Sequence, residues 1–269
     1  MNIDLGQSFS GALGISAGDL VSIAGAGGKT SLMYALGREL GLAGNRVLLT
    51  TTTKIFYPEG SEVAKVMLGS ETEDTMAEIE SCLAGGGALL AGRERDQSKI
   101  AGFSTWFVDG LHARSAPVTV VSECDGAMGK SLKVPRGWEP LLPSATTVYV
   151  VVIGADCLGK PLDRETVFEP EAVAGLAGVE PGARVDVRLV ARTMLAPESY
   201  VERTPAGARC CIFINKWDAI RPGADGRHGP QDEDQAMALA LDLVRSGGIE
   251  RVVLGSLKLG SGNPIMVIS

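Results

Sequence analysis

The chain has 269 residues, of which 45% are hydrophobic, and its 25 Lys and Arg against 32 Asp and Glu give a formal net charge of −7. This length and apolar content suit one large α/β domain, or a core with a small subdomain. The acidic balance argues against a groove for nucleic acid, although a single phosphate pocket is compatible with it.

The cysteines and the first residues bear on the cellular compartment. The five cysteines show no C-x-x-C spacing, so we expect neither a disulfide framework nor a zinc site. The first ten residues contain Asp4 and no basic segment, and no apolar run is long enough to span a bilayer. We therefore expect a cytoplasmic protein with reduced thiols, no signal peptide and no membrane contact.

Strand-like and helix-like segments alternate along the chain. Most strand-like segments are continuous β-branched runs, typical of strands buried on both faces of a mainly parallel sheet. Strands are predicted at 20–25, 46–51, 63–68, 87–91, 117–123, 147–154, 209–215 and 250–255. Helices are predicted at 29–42, 71–84, 103–114, 171–177 and 232–246. This alternation predicts an α/β fold with a doubly wound sheet and helices on both faces.

Two segments interrupt the alternation. Residues 155–208 contain five prolines and only short helical pieces, which predicts a small inserted subdomain or lid. The nucleotide-binding core would then comprise 1–154 and 209–269. Residues 221–231 are rich in Gly and Pro and are predicted to form a mobile loop.

The first predicted strand runs into a glycine-rich turn and then a helix. This order is typical of a phosphate-binding loop, in which backbone N–H groups and the helix N-terminus converge on an anion. The pattern is G-x-x-G-K-T, with Ile23 where the common loop has its first Gly. Lys29 would reach the outer phosphates, and the Thr30 hydroxyl would hold Mg²⁺. The predicted loop consists of Gly25, Ala26, Gly27, Gly28, Lys29, Thr30 and Ser31. The fold expected is therefore of the P-loop type.

Polar residues follow two further strands at the edge where open parallel sheets bind ligands. Four threonines at 50–53 precede Lys54, the best candidate there to face a phosphate. Threonines that simply fill a strand of the sheet are an equally good explanation. Glu123 and Asp125 follow a buried apolar run, an arrangement that holds Mg²⁺ in nucleotide-binding proteins. Alternation along a strand predicts that the two carboxylates point to one side. Cys124 between them is better explained as a small core residue than as a reactive thiol.

Two later loops add candidate residues. Residues 130–140 form a proline-stiffened loop whose basic side chains, Lys133 among them, would cover phosphates or a second anion. Solvated loop charges are an equally good explanation. Asn215, Lys216 and Asp218 form N-K-x-D at a strand end, the arrangement that recognises guanine in GTPases. An ordinary helix cap at Asp218 is the alternative.

Five blocks together resemble the YqeC family, whose members are regarded as accessory proteins of selenium-dependent hydroxylases. The resemblance runs in order from about residue 10 to the C-terminus. The blocks are GAGGKTS at 25–31, LLTTTTKIF at 48–56, ECDGAMGKSLKVPRGWEPLLP at 123–143, GADCLGKPLD at 154–163 and INKWD at 214–218.

The resemblance implies a nucleotide-binding accessory role in maturing molybdenum hydroxylases, with a hydroxylase or its cofactor as partner. Two positions depart from the family pattern, because Trp138 and Phe168 stand where histidines are usual. A mechanism that depends on those imidazoles could not operate unchanged in this chain.

Three functional hypotheses follow. The first is a Mg²⁺-dependent NTPase or NTP-using transferase, with ATP or GTP as nucleotide. In it Lys29, Glu123, Asp125, Lys54 and Lys133 act in catalysis, while Thr30 and the two carboxylates bind the metal. The second is a nucleotide-gated binding module without efficient turnover. The third is a small-molecule kinase or a ligase of the Mur type, whose short loop is similar.

Overall fold

A computed structural model of the chain describes residues 2–6, 8–59, 63, 65–114, 117–220, 230–258 and 265–269. Its strands are β1 (Ile3–Gly6), β2 (Leu20–Gly25), β3 (Arg46–Thr51), β4 (Lys54–Phe56), β5 (Val66–Leu68), β6 (Gly87–Gly92), β7 (Glu94–Asp96), β8 (Lys99–Ala101), β9 (Val118–Glu123), β10 (Val148–Gly154), β11 (Arg209–Asn215), β12 (Arg251–Leu254) and β13 (Ile265–Ile268). Its α-helices are α1 (Phe9–Ala12), α2 (Lys29–Leu42), α3 (Glu73–Leu83), α4 (Thr105–Arg114), α5 (Pro170–Ala177), α6 (Val187–Leu195) and α7 (Pro230–Arg245).

One large sheet organises the described part of the chain, with the strand order β1-β13-β12-β11-β10-β2-β9-β3-β6-β5. The strands from β12 to β5 in this order pair in parallel, while β13 and β1 add an antiparallel edge. A second, small antiparallel sheet has the order β4-β8-β7. The prediction of a mainly parallel α/β sheet is therefore confirmed.

The central strands β2, β9 and β10 are buried at every position. Burial on both faces explains why their sequences are continuous apolar runs. Val21 and Ile23 pack in one cluster with α1 and α2, whereas Leu20 and Ala24 pack in clusters on the opposite face with α3 to α7. Helices therefore flank both faces, as predicted.

The strand order places a crevice at the centre of the sheet. From its carboxyl end β2 continues through α2 to β3 on one side, whereas β10 continues to β11 on the other. The loops that follow β2 and β10 therefore leave the sheet in opposite directions and diverge. Ligands of open α/β sheets bind in the crevice between two such loops.

The segment 155–208 contains α5, α6 and two short 3-10 helices, Ala155–Cys157 and Val201–Arg203. Its apolar side chains, among them Val173 and Val190, belong to the same hydrophobic cluster as Tyr149 and Ile212 of the sheet. The predicted boundary between core and insertion stays a prediction. Of the loop predicted at 221–231, the part up to 229 lies outside the described residues. No helix in the described ranges combines the length and apolar character needed to cross a membrane.

Candidate functional site

The turn between β2 and α2 is shaped by its glycines. Gly27 and Gly28 have φ angles of 94° and 129°, which L side chains rarely adopt. A Cβ on Gly27 would lie 2.3 Å from the Gly154 nitrogen, and one on Gly28 would lie 2.3 Å from Asn215 Nδ2. The turn therefore packs directly on the ends of β10 and β11. No side chain caps the first turn of α2, so its N–H groups remain available to an anion.

Lys29 is buried and folds back over this turn. Its Nζ donates to the Gly25 carbonyl at 2.8 Å. The same atom lies 3.2 Å from Asp125 Oδ1 and 3.7 Å from Glu123 Oε1. The structure thus brings together the lysine and the two carboxylates that were predicted from separate segments.

Glu123 ends β9 beside the start of α2. The Thr30 hydroxyl donates to Glu123 Oε2 at 2.6 Å. Burial raises the pKa of the Glu123 carboxyl, against the opposing effects of Lys29 and the Thr30 hydrogen bond. A divalent cation at this place would favour the ionised carboxylate.

Asp125 is wholly buried and more heavily engaged than Glu123. Its Oδ2 accepts from the Gly25 N–H at 3.1 Å and from the Tyr200 hydroxyl at 2.6 Å, and lies 3.2 Å from Lys133 Nζ. Its Oδ1 accepts no hydrogen bond, although Lys29 Nζ lies 3.2 Å away. Lys29 is thus the cation that faces this buried oxygen, and a ligand that drew the lysine away would leave the oxygen without it.

Lys133 lies beneath the site. Its side chain is fully buried and its Nζ donates to the Gly126 carbonyl and to Glu139 Oε2, both at 2.7 Å. These contacts fix Asp125 in place. The catalytic role predicted for Lys133 stays a prediction, and in this structure its ammonium contacts protein groups.

A cleft of about 570 Å³ lies above the turn. Lys54 stands at its rim, where its Nζ donates to Asp96 Oδ2 at 2.7 Å. Lys99 was missed from the sequence because β8 is too short to show strand periodicity. The cleft is rich in cations for an acidic protein and suits a ligand with several phosphates. Its lysines are Lys29, Lys54, Lys99, Lys130 and Lys216.

A metal ion here would depend on ligands from outside the protein. Among the described residues no group of three or more His, Cys, Asp or Glu side chains could hold a metal. Mg²⁺ often takes only one or two protein oxygens and completes its octahedron with phosphates and water. Thr30 and Glu123, already in contact, fit that pattern, with Asp125 behind them.

Asn215, the last residue of β11, connects the glycine turn to the segment that follows β12. Its Nδ2 donates to the Gly27 carbonyl at 2.7 Å, and its Oδ1 accepts from the Leu257 N–H at 3.1 Å. Lys216 Nζ donates to Ser131 Oγ at 2.8 Å and to Asp156 Oδ2 at 3.0 Å. Asn215 contacts the glycine turn directly, and Lys216 lines the same cleft as Gly27 and Gly28.

Asp218 lines a second, smaller cavity of about 320 Å³, which Gly28 of the turn also lines. Its Oδ1 accepts from Ser256 Oγ, and its Oδ2 lies 3.9 Å from Lys258 Nζ. The segment 256–258 was not predicted from the sequence. It follows the predicted strand 250–255, so the strand-end rule applied to the other strands could have found it.

Trp138 and Phe168 both lie near Arg136. The guanidinium carbon is 5.7 Å from the centroid of the Trp138 ring and 4.9 Å from that of Phe168. Arg136 Nε also donates to Glu169 Oε1 at 3.0 Å. The two aromatic rings that stand in the histidine positions therefore help to hold one arginine.

The burial of four of the five cysteines predicts how fast each thiol reacts. Burial raises the pKa of Cys124 to about 11 and the pKa values of Cys157 and Cys211 to about 12, while Cys210 is also buried. A thiol with a pKa near 11 is only about 0.1% ionised at pH 8. We expect the native protein to show one fast thiol, Cys82, with a colorimetric disulfide reagent, and all five after denaturation. Rapid labelling of Cys124 in the native protein would contradict its assignment as a core residue.

The glycine turn and the two carboxylates lie in a part of the chain that matches a known family. The family described as YqeC protein matches residues 21–171, a range that includes the glycine turn, Glu123 and Asp125. The chain is also 30% identical over 198 residues to "Uncharacterized protein YqeC" of Escherichia coli (strain K12), covering 74% of this chain and 76% of that protein. Because the family match extends over more than half of the chain and includes the turn on which the site is built, we conclude that the chain belongs to the YqeC family.

Proposed function

We propose that the protein is a Mg²⁺-dependent nucleoside triphosphate-binding protein, acting as an NTPase or an NTP-using transferase. The observation that carries this proposal is the convergence of Lys29, Thr30 and Glu123 at the uncapped start of α2. A lysine, a hydroxyl and a carboxylate around free backbone N–H groups supply what phosphoryl chemistry needs: charge neutralisation, metal binding and positioning.

Each group has a distinct task in this proposal. The backbone N–H groups of 27–30 bind phosphate oxygens, and Lys29 leaves Gly25 and Asp125 to contact the outer phosphates. Thr30 and Glu123 hold Mg²⁺, which when bound would neutralise the charge that develops on the phosphates. Asp125 keeps the turn in shape through the Gly25 N–H. Lys54 and Lys99 stand further out, where a transferred group or a second anionic substrate would lie.

We propose further that this activity serves the maturation of a selenium-dependent molybdenum hydroxylase in the cytoplasm. This part is supported by the resemblance of the five sequence blocks to the YqeC family, and not by the geometry. The partner would be the hydroxylase or its cofactor. Single-turnover hydrolysis measured with and without a target hydroxylase tests it, and a rate that no hydroxylase changes would count against it.

A nucleotide-gated binding module is the second candidate, and one contact favours it. Asp125 connects the glycine turn to Lys133 and Tyr200, which come from two separate segments of the chain. A ligand that moved Lys29 would therefore change the balance of charge inside that connection. Tight nucleotide binding without hydrolysis at any partner concentration would select this candidate over an NTPase.

Thermal unfolding in the presence of nucleotides tests the proposed function directly. A ligand that binds only the native state stabilises it by about 2.7 kcal/mol when its concentration is a hundred times its Kd. We expect at least one nucleoside triphosphate to raise the Tm by several degrees when Mg²⁺ is present, and by less when EDTA replaces it. If no nucleotide raises the Tm, the proposal fails.

A further inference from the structure

The smaller cavity adjoins the phosphate cleft. Gly28, Ser31 and Lys216 line both of them. Because the glycine turn forms the wall between the two, a nucleotide with its phosphates in the cleft has this cavity within reach of its base. The polar groups on the far side of the cavity then decide which base is bound.

Asn215 sets the shape of the cavity. Its amide nitrogen donates to Gly27 and its amide oxygen accepts from Leu257, so both ends of the group are engaged by backbone. A buried amide with both ends bonded fixes the distance between the glycine turn and the segment 256–258. Asn215 is thus a positioning residue and leaves recognition to its neighbours.

The walls of the cavity suit a flat ring. Lys216 Nζ is held by Ser131 and Asp156, so its aliphatic stem extends between the two cavities with the charge at its far end. Leu257 and Ala219 add apolar surface. A planar heterocycle can pack against such surfaces without needing hydrogen bonds to them.

Asp218 supplies the hydrogen-bonding group. Its side chain is 24% exposed, and the Ser256 hydroxyl fixes one of its oxygens. An ionised carboxylate only accepts hydrogen bonds, and each oxygen has two lone pairs, so acceptor capacity remains for a ligand. The Lys258 N–H has only a long contact of 3.4 Å to Ser256 Oγ and could donate to a ring carbonyl.

We propose that this cavity selects guanine, an inference that rests on the proposed function. Guanine has two adjacent donors, N1–H and the C2 amino group, that a carboxylate can accept together. Adenine and cytosine each have one amino donor beside a ring nitrogen that carries no hydrogen. The lone pair of that ring nitrogen would face an Asp218 oxygen. Uracil has one N–H between two carbonyls. A half-buried carboxylate that only accepts hydrogen bonds disfavours ligands whose lone pairs oppose it.

Calorimetric titration of the full chain in Mg²⁺ buffer with four triphosphates tests the inference and needs no variant. We expect GTP to bind at least about a hundredfold more tightly than ATP or CTP. ITP lacks the C2 amino group and should bind about tenfold more weakly than GTP. Equal affinities for GTP and ATP would overturn guanine selection and leave the proposed function standing. No binding of any nucleotide would instead overturn the proposed function.

An Asp218→Asn variant tests the residue itself. Asparagine has one acceptor and one donor, which match the N1–H and the C2 carbonyl of xanthine. We therefore expect GTP affinity to fall by about a hundredfold and XTP to bind better than GTP. Asp242→Asn, at an exposed position on α7, is the matched control and should bind as the parent does. Unchanged GTP preference in Asp218→Asn would overturn the assignment of Asp218.

Discussion

A Lys29→Ala variant is expected to bind every nucleoside triphosphate about a hundredfold more weakly than the parent, or not measurably. Lys29 is the first residue of α2 and lines the cleft, and hydrogen bonds to charged groups contribute about 1.5–3 kcal/mol each. An ammonium that contacts more than one phosphate oxygen would account for that loss. Calorimetric titration with Mg²⁺ and the triphosphate that gives the largest thermal shift measures it.

The control is Lys65→Ala, since Lys65 is exposed and lies outside the cleft. Removal of Lys29 leaves Asp125 with Lys133, Tyr200 and the Gly25 N–H, so we expect the variant to remain folded by circular dichroism. If the Lys29→Ala variant binds nucleotide as tightly as the Lys65→Ala variant does, the glycine turn does not bind the nucleotide in the way proposed.

The fold could be predicted where sequence pattern and burial coincide. The central strands are buried at every position, so their apolar runs were visible, and their predicted bounds agree with the structure to within a residue. The small sheet β4-β8-β7 was missed because its strands are three residues long, and β7, which runs from Glu94 to Asp96, is wholly exposed. The antiparallel pair β1 and β13 was missed as well, because β1 has no buried position and only two of the four residues of β13 are buried, whereas β12, of the same length, has three.

The candidate site was predictable to the extent that it follows strand ends. That rule located Lys29, Glu123, Asp125 and Asn215, which the structure places around one turn. It could not show that Lys133 is buried beneath Asp125, because the sequence shows only a basic loop. It could not supply Tyr200 either, since that contact joins residues 75 positions apart. Such long-range partners depend on tertiary packing, which local pattern does not encode.

The contacts of Asp125 predict a large loss of stability when this residue is replaced. An Asp125→Ala change removes the acceptor of the Tyr200 hydroxyl and of the Gly25 N–H, and takes one carboxylate from Lys133. Buried donors left without a partner cost about 1–3 kcal/mol each. We therefore expect the free energy of unfolding to fall by about 4 kcal/mol, and the Tm by about 10 °C. Urea titration and a thermal melt measure both.

A double-mutant cycle with Tyr200→Phe separates this mechanism from general damage. Alone, Tyr200→Phe should lower the free energy of unfolding by about 1 kcal/mol, because one hydrogen bond is lost. In the Asp125→Ala background it should instead restore about 1 kcal/mol, because it removes a hydroxyl that no longer has its acceptor. An Asp242→Ala change on the exposed face of α7 should stay within about 0.5 kcal/mol of the parent. Two strictly additive losses would mean that the Tyr200 hydroxyl does not depend on Asp125, and the buried connection between the glycine turn and the segment 155–208 would then have to run through other residues.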